Sequence, residues 1–413
     1  MTVFAITLWA WELTGSATAL ALIGFFYFAA SISIAPFAGV IVDRSNRKRL
    51  IILGDTVAGL STIAMLHLHL AGSLQIWHIY LVAVLNGLCS QVQTLAYGVS
   101  IPMLVPKQHY TRAISMGSVL SYGSAIIGPA LAGTLYSVIG FTGILLIDLT
   151  SFIVGISTVF AVKIPQPPVS EAGRQSRAGI FPELAFGFRY IFARKSLLVL
   201  LLFWSLFWFA HDISDSLYSP MILARTNSNA EVLASLQAAA GVGGVTGGLL
   251  LSAWGGHKRR INGLLLGMVG AGFSKIIFGL SQIPLIWIPA QLCSSFNFPA
   301  IYSCERAIWL TKVEPDLQGK VLATHTLISG FSPVVGRLLA GPLADYIFEP
   351  AMKPDGNLAA IFGGVFGTSP GAGMALLYVL CALGMLSVGL VGYAFPSIRD
   401  VEDIVPDHDA TAA

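Results

Sequence analysis

Ionisable side chains stand inside long apolar runs of this chain, at Glu12, Asp148, Asp212, Asp215, Lys275 and Arg337. Such groups are costly to hold away from water, so each is a candidate for proton exchange or for pairing with a charged solute. Asp148 falls about 10 Å along its apolar run. Asp212 and Asp215 lie in FWFAHDISDSLYSP beside His211. Asp148 and Asp212 are the first proton-carrying candidates, with Glu12 a third. Asp215 and Asp345 read instead as helix-end or solvent-facing acids. Lys275 reads as a snorkelling lysine. Glu305 reads as a partner of Arg306 or of the basic loops. Bond-making chemistry has no recognisable residue set. There is no Walker A loop, no HExxH and no GxSxG. His211 and Asp212 are neighbours, but adjacent residues of a helix point away from each other. Cys89, Cys293, Cys304 and Cys381 sit in apolar runs without CxxC spacing. The expectation is therefore a chain that is not an enzyme, with no cofactor and no metal.

The elements that must position these residues are read from composition. Of 413 residues, 55% are hydrophobic and 10% charged. Soluble domains carry about 25% charged residues. Runs long enough to cross a bilayer, about 17–25 residues, fall at 17–42, 50–71, 76–104, 113–139, 141–162, 197–219, 232–254, 261–281, 284–309, 322–347 and 373–394. A twelfth run, MTVFAITLWAWEL, precedes them and rises only about 20 Å as a helix. It reads as a first span lacking its first turns, either through a start placed too far downstream or as a half-span.

Charge placement sets the expected orientation. Nineteen of the 23 lysines and arginines fall on connections of one side, and two, Arg225 and Lys353, on the other. Lys275 and Arg337 lie within spans. By the positive-inside rule the basic side is cytoplasmic, which with twelve spans puts both termini there too. The connection 163–196 begins with Pro165, Pro167 and Pro168 and continues as PELAFGFRYIFARKS. Phe186, Phe188, Ile191 and Phe192 are expected against the membrane surface, with Arg189, Arg194 and Lys195 towards headgroups. The domains are thus expected as a six-helix bundle over 1–162, a cytoplasmic linker with an amphipathic helix over 163–196, and a second bundle with a short tail over 197–413.

The halves repeat. GPALAG from Gly128 parallels GRLLAG from Gly336, and VPKQHYTR from Val105 parallels VEPDLQGK from Val313. GVIVDRSNRKR from Gly39 parallels GLLLSAWGGHKRR from Gly248. Parallel repeats of this kind belong to transporters that place a substrate between two bundles near the midplane.

The stretch Gly39-x-x-x-Asp43-Arg44-x-x-Arg47-Lys48 resembles the signature between the second and third spans of the major facilitator superfamily. In that family the loop acid and arginine join a charge network that latches the halves on the cytoplasmic side when the pocket opens outward. The resemblance implies that role for Gly39, Asp43, Arg44, Arg47 and Lys48. Asp55 would join from the third span, and the partner would be the eleventh span near Leu322. In the second half Ser252 and Ala253 stand where Asp43 and Arg44 stand in the first, so the latch is one-sided. GSAIIGPALAG, with Gly123, Gly128, Pro129 and Gly133, is similar to a drug-antiporter signature but departs from its spacing. It implies a sealing bend, with ordinary small-residue packing as the alternative. TGSATALALIGF and IRDVEDIVPDHD are similar to the macrolide-efflux branch of the drug:proton antiporters.

Aromatic residues supply the expected pocket walls: Trp9, Trp11, Phe26, Tyr27, Trp204, Phe207 and Trp208, joined by Arg337 as a charged contact. Broad apolar ligands suit such walls, although Trp and Tyr also anchor at membrane interfaces. The expected fold is an all-α membrane protein of the major facilitator type, two six-helix bundles related by a parallel repeat, with a shortened first helix. The resemblance implies a monomer in the bacterial cytoplasmic membrane, with the bilayer, a small molecule and protons as partners and no nucleic acid. It would export a hydrophobic or amphipathic small molecule in exchange for protons. Alternatives are export of a siderophore or lipid-like metabolite, or a transport-incompetent membrane sensor.

Overall fold

The computed structural model describes residues 1–104, 110–162, 180–314 and 317–404. Among these residues the regular structure is helical throughout. Helix boundaries follow local chemistry. Helix α1 (Thr2–Thr14) stops at Gly15, which takes the left-handed conformation at φ 58°, one that glycine adopts without a steric penalty. Ser16 begins α2 (Ala17–Arg44) by accepting a hydrogen bond from the Ala19 N–H. Asn46 does the same for α3 (Arg47–Leu70) through the Arg49 N–H, so the polar residues of the basic turn also serve as a helix cap. Then come α4 (Ile76–Leu104) and α5 (Tyr110–Ala161).

Helix α5 is 52 residues long and makes two passes. Its backbone stays helical through Pro129 and leaves the helical region at Gly140, at φ 63° and ψ −170°. A linker helix, α6 (Ile180–Ala193), leads into α7 (Lys195–Arg225), α8 (Ala230–Trp254), α9 (Arg260–Leu280) and α10 (Pro284–Lys312). The next pass is built in pieces, α11 (Gln318–Ser329) and α12 (Phe331–Pro342), followed by a wide turn over Leu343–Phe348 and α13 (Glu349–Ala351). Short α14 (Ala359–Phe366) precedes α15 (Ala372–Ala394), α16 (Pro396–Arg399) and α17 (Val401–Ile404).

Nine helices among the described residues are long and apolar enough to cross a membrane, against eleven full spans expected from sequence. The difference has two sources. The two passes of α5 join through the kink at Gly140 and count as a single element, and α10 carries Gln291, Asn297, Glu305 and Arg306, which make it too polar. Part of that polarity faces the cavity described below, which Gln291, Glu305 and Arg306 line.

Helices α1–α5 pack as one bundle and α7–α15 as another, with α5 on α8 and α2 on α12 as the main contacts between them. Small residues make these approaches close. Gly133 of α5 lies against the Ala234 Cβ of α8, and Gly341 of α12 lies against the Thr18 backbone of α2. Close backbone approach maximises dispersion contact, which is what holds helices together where lipid removes the hydrophobic driving force.

The buried apolar core differs between the two ends. At the end away from the basic turns, here the distal end, one cluster joins both bundles, from Leu8, Trp9, Met65, Ile79 and Phe141 to Leu217, Phe278, Trp287 and Tyr378. At the basic end the described core residues fall into separate clusters. Ile191, Leu197, Trp204, Ile261, Trp309 and Ile398 belong to a cluster of the second bundle and its linker helix. Val42, Ile51 and Ala96 form a small one in the first.

The linker helix departs from the sequence expectation. Ile191 does not face the membrane surface but is fully buried with Tyr190 against the second bundle. Gly187 lies against Thr324 of α11, and the Tyr190 hydroxyl donates to Glu314 at 2.7 Å. Phe186, Phe188 and Phe192 remain exposed. The glycine permits docking of one face, which leaves the phenylalanines on the other.

Candidate functional site

A cavity of about 1650 Å³ lies between the bundles. From the first bundle its wall includes Ile23, Tyr27, Thr62, Met65, Asn86 and Asp148. From the second it includes Trp204, His211, Asp215, Lys275, Tyr302 and Arg337. The lining runs along α8 to Ser252 and along α10 to Arg306, both near the basic ends of their helices. It exceeds an ordinary drug-sized pocket of about 300–1000 Å³.

The distal end is closed by polar contacts as well as by the shared core. The Asp345 carboxylate, beyond α12, accepts from the Ser16 hydroxyl at 2.6 Å and from the Ala17 and Thr18 N–H groups at 3.1 and 2.8 Å. One bundle thus caps the exposed N–H groups of a helix in the other, where the helix dipole favours a negative charge. The Trp11 indole N–H donates to the Ser228 hydroxyl at 3.2 Å, a second tie between the bundles. Asp345 was expected to cap a helix end or face solvent; it does cap, but across the seam.

Arg337 crosses the seam near mid-helix. Its guanidinium lies over the Phe28 ring at 4.7 Å. Its Cδ would meet a Cβ on Gly24 at 2.8 Å, so glycine in α2 makes room for it. It donates to Asp215 at 3.0 Å and lies 3.8 Å from Asp212. Asp212 reaches that place because Gly336, one residue before the arginine, lets α7 come close. In the internal repeat Arg337 occupies the position of Pro129.

Lys275 corrects the snorkelling expectation. It is buried inside the second bundle, with Nζ 3.3 Å from both the Ser214 and Tyr378 hydroxyls. A lysine with a buried hydroxyl cradle and acids within electrostatic reach has no need to extend to the interface. Glu305 also departs from expectation. It faces His325 of α11 at 2.8 Å, both side chains under a tenth exposed, rather than Arg306.

The aromatic wall has helical spacing. Trp204, Trp208 and His211 of α7 stack in sequence and meet Phe298 and Tyr302 of α10, with Trp208 and Tyr302 centroids 4.9 Å apart. Of the expected pocket residues, Tyr27, Trp204 and Arg337 line the cavity, and Trp208 packs on Trp204 beside it. Trp9 stacks on Phe141 at 5.6 Å and Phe26 packs on Phe25 and Tyr80, both away from the lining.

Asp148 stands in the first-bundle wall. Its two oxygens accept from the hydroxyls of Thr2 at 2.6 Å and Thr62 at 2.8 Å. Glu12 lies apart, exposed at the distal rim, and accepts from the Tyr136 hydroxyl at 2.9 Å. The gating-loop residues are scattered. Lys48 donates to the Phe160 and Val162 carbonyls at 2.8 Å each, and Asp55 accepts from Gln93 at 2.6 Å. These contacts stay within the first bundle. Arg47 lies in the first turn of α3, while Gly39 and the side chains of Asp43 and Arg44 lie outside the described set. Gly128, Pro129 and Gly133 sit in a helix that keeps its backbone geometry, with Gly133 at the α5–α8 approach.

The profile of the Major Facilitator Superfamily matches residues 1–337. The chain belongs to this superfamily. Macrolide efflux protein A of Streptococcus pyogenes is 25% identical over 345 residues, 83% of this chain and 85% of that protein. Enterobactin exporter EntS of Salmonella typhi is 25% identical over 292 residues, 70% of this chain and 65% of that one. Among solved structures, an inward-facing, unoccupied bacterial homologue of the human lysosomal transporter Spinster superposes with a TM-score of 0.67 at 17% identity, over 98% of this chain and 95% of the other. As a member of this superfamily the chain is a multi-pass membrane transporter, not an enzyme, and a small molecule is its expected substrate.

Sequence reasoning passed over Asp215, which shares the i, i+4, i+7, i+11 stripe of Trp204, Trp208 and His211. That spacing is the signal that could have found it. His325 gave no such signal, because its partner Glu305 is on another helix.

Proposed function

We propose that this transporter exports hydrophobic or amphipathic small molecules, macrolide-like drugs among them, by alternating access in exchange for protons. The observation that carries the reading is a large cavity walled by both bundles, reaching the basic end and closed at the distal end by Asp345. The excess of basic residues makes the open end cytoplasmic, so the arrangement suits loading from inside. The cell is bacterial, the membrane is the cytoplasmic one, both termini are cytoplasmic and the protein acts as a monomer. The two bundles, 1–162 and 197–413, move about the linker 163–196. Asp43, Arg44 and their neighbours form the counter-latch that closes the basic end in the other state.

Proton coupling falls to the second-bundle acids. Protonating Asp212 or Asp215 releases part of the hold on Arg337, which itself spans the seam over Phe28. A proton is thereby linked to a contact between bundles. Glu12, at the rim, has no such link. The test is accumulation of a labelled macrolide in cells lacking their own pumps, with and without a protonophore. Export should lower accumulation, the protonophore should abolish the effect, and Asp212→Asn or Asp215→Asn should lose it. Unchanged accumulation with well-inserted protein removes macrolides as substrates.

A second reading is export of an anionic, siderophore-like metabolite. The cavity wall carries Arg337 and Lys275, and the enterobactin exporter is among the similar proteins. The same cells loaded with a labelled iron-free catecholate separate the two.

A further inference from the structure

Along the seam where α2 meets α11 and α12, small residues bring the bundles together: Gly341 lies against Thr18, and Gly330, between α11 and α12, lies against Ile32. Helix α2 carries no charged residue from Ala17 to Val42. Between those two contacts it nevertheless receives a cation. Gly24 and Phe28 stand one turn apart on the same face of α2. A Cβ on Gly24 would lie 2.8 Å from Arg337 Cδ and 3.1 Å from a guanidinium nitrogen, and the guanidinium carbon lies 4.7 Å from the centre of the Phe28 ring. The arginine is mostly buried, and its Nε–H has no hydrogen-bond partner. The ring face therefore supplies part of the solvation that the seam withholds. From the second bundle the guanidinium faces Asp215 at 3.0 Å and Asp212 at 3.8 Å, with His211 within electrostatic reach. Lys275 and Tyr302 lie within reach of the same acids.

We infer that Phe28 is a positioning residue for the exchange: with Arg337 it locks the empty, deprotonated transporter, so that the bundles change state only with a proton or a substrate bound. The inference rests on the proton-exchange reading above. Two events release the lock. Protonation of Asp215 removes the anion bonded to Arg337, and a guanidinium without that anion is better solvated by cavity water than by a dry seam. An apolar substrate body reaches the same ring from the cavity, since Gly24, Phe28 and Arg337 all line it. With neither present, Asp215 holds the arginine in place and the ring closes over it. An exchanger needs such a lock, because an empty, deprotonated carrier that alternates lets protons cross without substrate.

The test is proton flux in proteoliposomes of the full-length protein, with a trapped pH dye and the membrane potential clamped, first without substrate and then with a macrolide gradient. Without substrate the wild type should be tight. Phe28→Leu keeps the apolar bulk and loses the π face, and should leak at least about fivefold faster, the factor that corresponds to a contact of about 1 kcal/mol. Phe28→Tyr should stay tight. Adding Asp212→Asn and Asp215→Asn to Phe28→Leu should abolish the leak, because no acid is left to carry the proton. A leak that survives those two changes is a water path and overturns the inference. So does a leaky wild type, and so does a tight Phe28→Leu beside a wild type that moves protons against the macrolide. A wild type in which the macrolide moves no protons, together with a tight Phe28→Leu, overturns the exchange reading and the lock with it.

Discussion

The two ends of the molecule are built on different terms. At the distal end the bundles share one apolar core, and Asp345 of one bundle caps the first turn of α2 in the other. At the basic end the described core residues cluster within each bundle, and the polar contacts described stay inside a bundle: Lys48 to the end of α5, Arg260 to Thr311, Tyr190 to Glu314. The ties at the distal end are few and specific, and the basic-end contacts named here, among the described residues, lie within a bundle. A seam of this kind can part at one end while the other holds. Arg337 lies between the two regimes, bonded within its own bundle to Asp215 and stacked across the seam on Phe28.

The largest expected effect comes from that midpoint. Arg337→Ala removes the hydrogen-bonded cation from Asp215 and the nearby cation from Asp212 and should cost about 1.5–3 kcal/mol, read as a lower melting temperature in detergent together with lost transport. Arg337→Lys keeps the charge but not the fork, and should fall between. If Arg337→Ala melts as the wild type does, the pairing is incidental and the two ends are not joined through it.

Next is Asp345→Ala. Losing a charged cap should cost about 0.5–2 kcal/mol at the distal seam alone. In a background with the four cysteines replaced, a cysteine at Ser228 should react several-fold faster with a membrane-impermeant maleimide. Equal rates would mean that the apolar core by itself keeps the distal end shut. Trp11→Phe, measured through the same core but with a reporter cysteine at Asn227, should act in the same direction with about 1 kcal/mol or less, since the ring stays packed and one neutral hydrogen bond goes. Tyr190→Phe is the contrast. It weakens docking of α6 on the second bundle by about 1 kcal/mol, seen as faster proteolysis near the linker, and should leave distal labelling unchanged. A distal response to Tyr190→Phe would mean that the ends are coupled through the second bundle.

Much of the site was legible in the sequence and some was not. Acids and bases inside apolar runs announced themselves at Asp148, Asp212 and Arg337, because a charge in a greasy stretch has few structural explanations. Asp148 and Arg337 do line the cavity, and Asp212 lies against the arginine. Partnership was the hidden part. Glu305 was expected beside Arg306 and found His325, because a helix surface offers neighbours on other helices that spacing along one chain does not reveal. Lys275 was expected to snorkel and is buried, because Ser214 and Tyr378 come from α7 and α15. Trp9 and Phe26 were reasonable wall residues by type, but only packing tells an aromatic that faces a cavity from one that faces another helix.

By itself the sequence determined the class. The number and length of its apolar runs, the bias of its basic residues and its internal repeat leave few folds open, since each rests on the cost of exposing backbone or charge to hydrocarbon. Glycine and cap positions such as Gly15, Ser16, Asn46, Asn229 and Gly255 set several helix ends, because those depend on a few neighbouring residues. The tertiary structure alone decided which end is closed and which acids meet which partners. Those outcomes depend on side chains hundreds of positions apart, such as Ser16 with Asp345 and Gly24 with Arg337, and local propensity carries no record of distance across the seam.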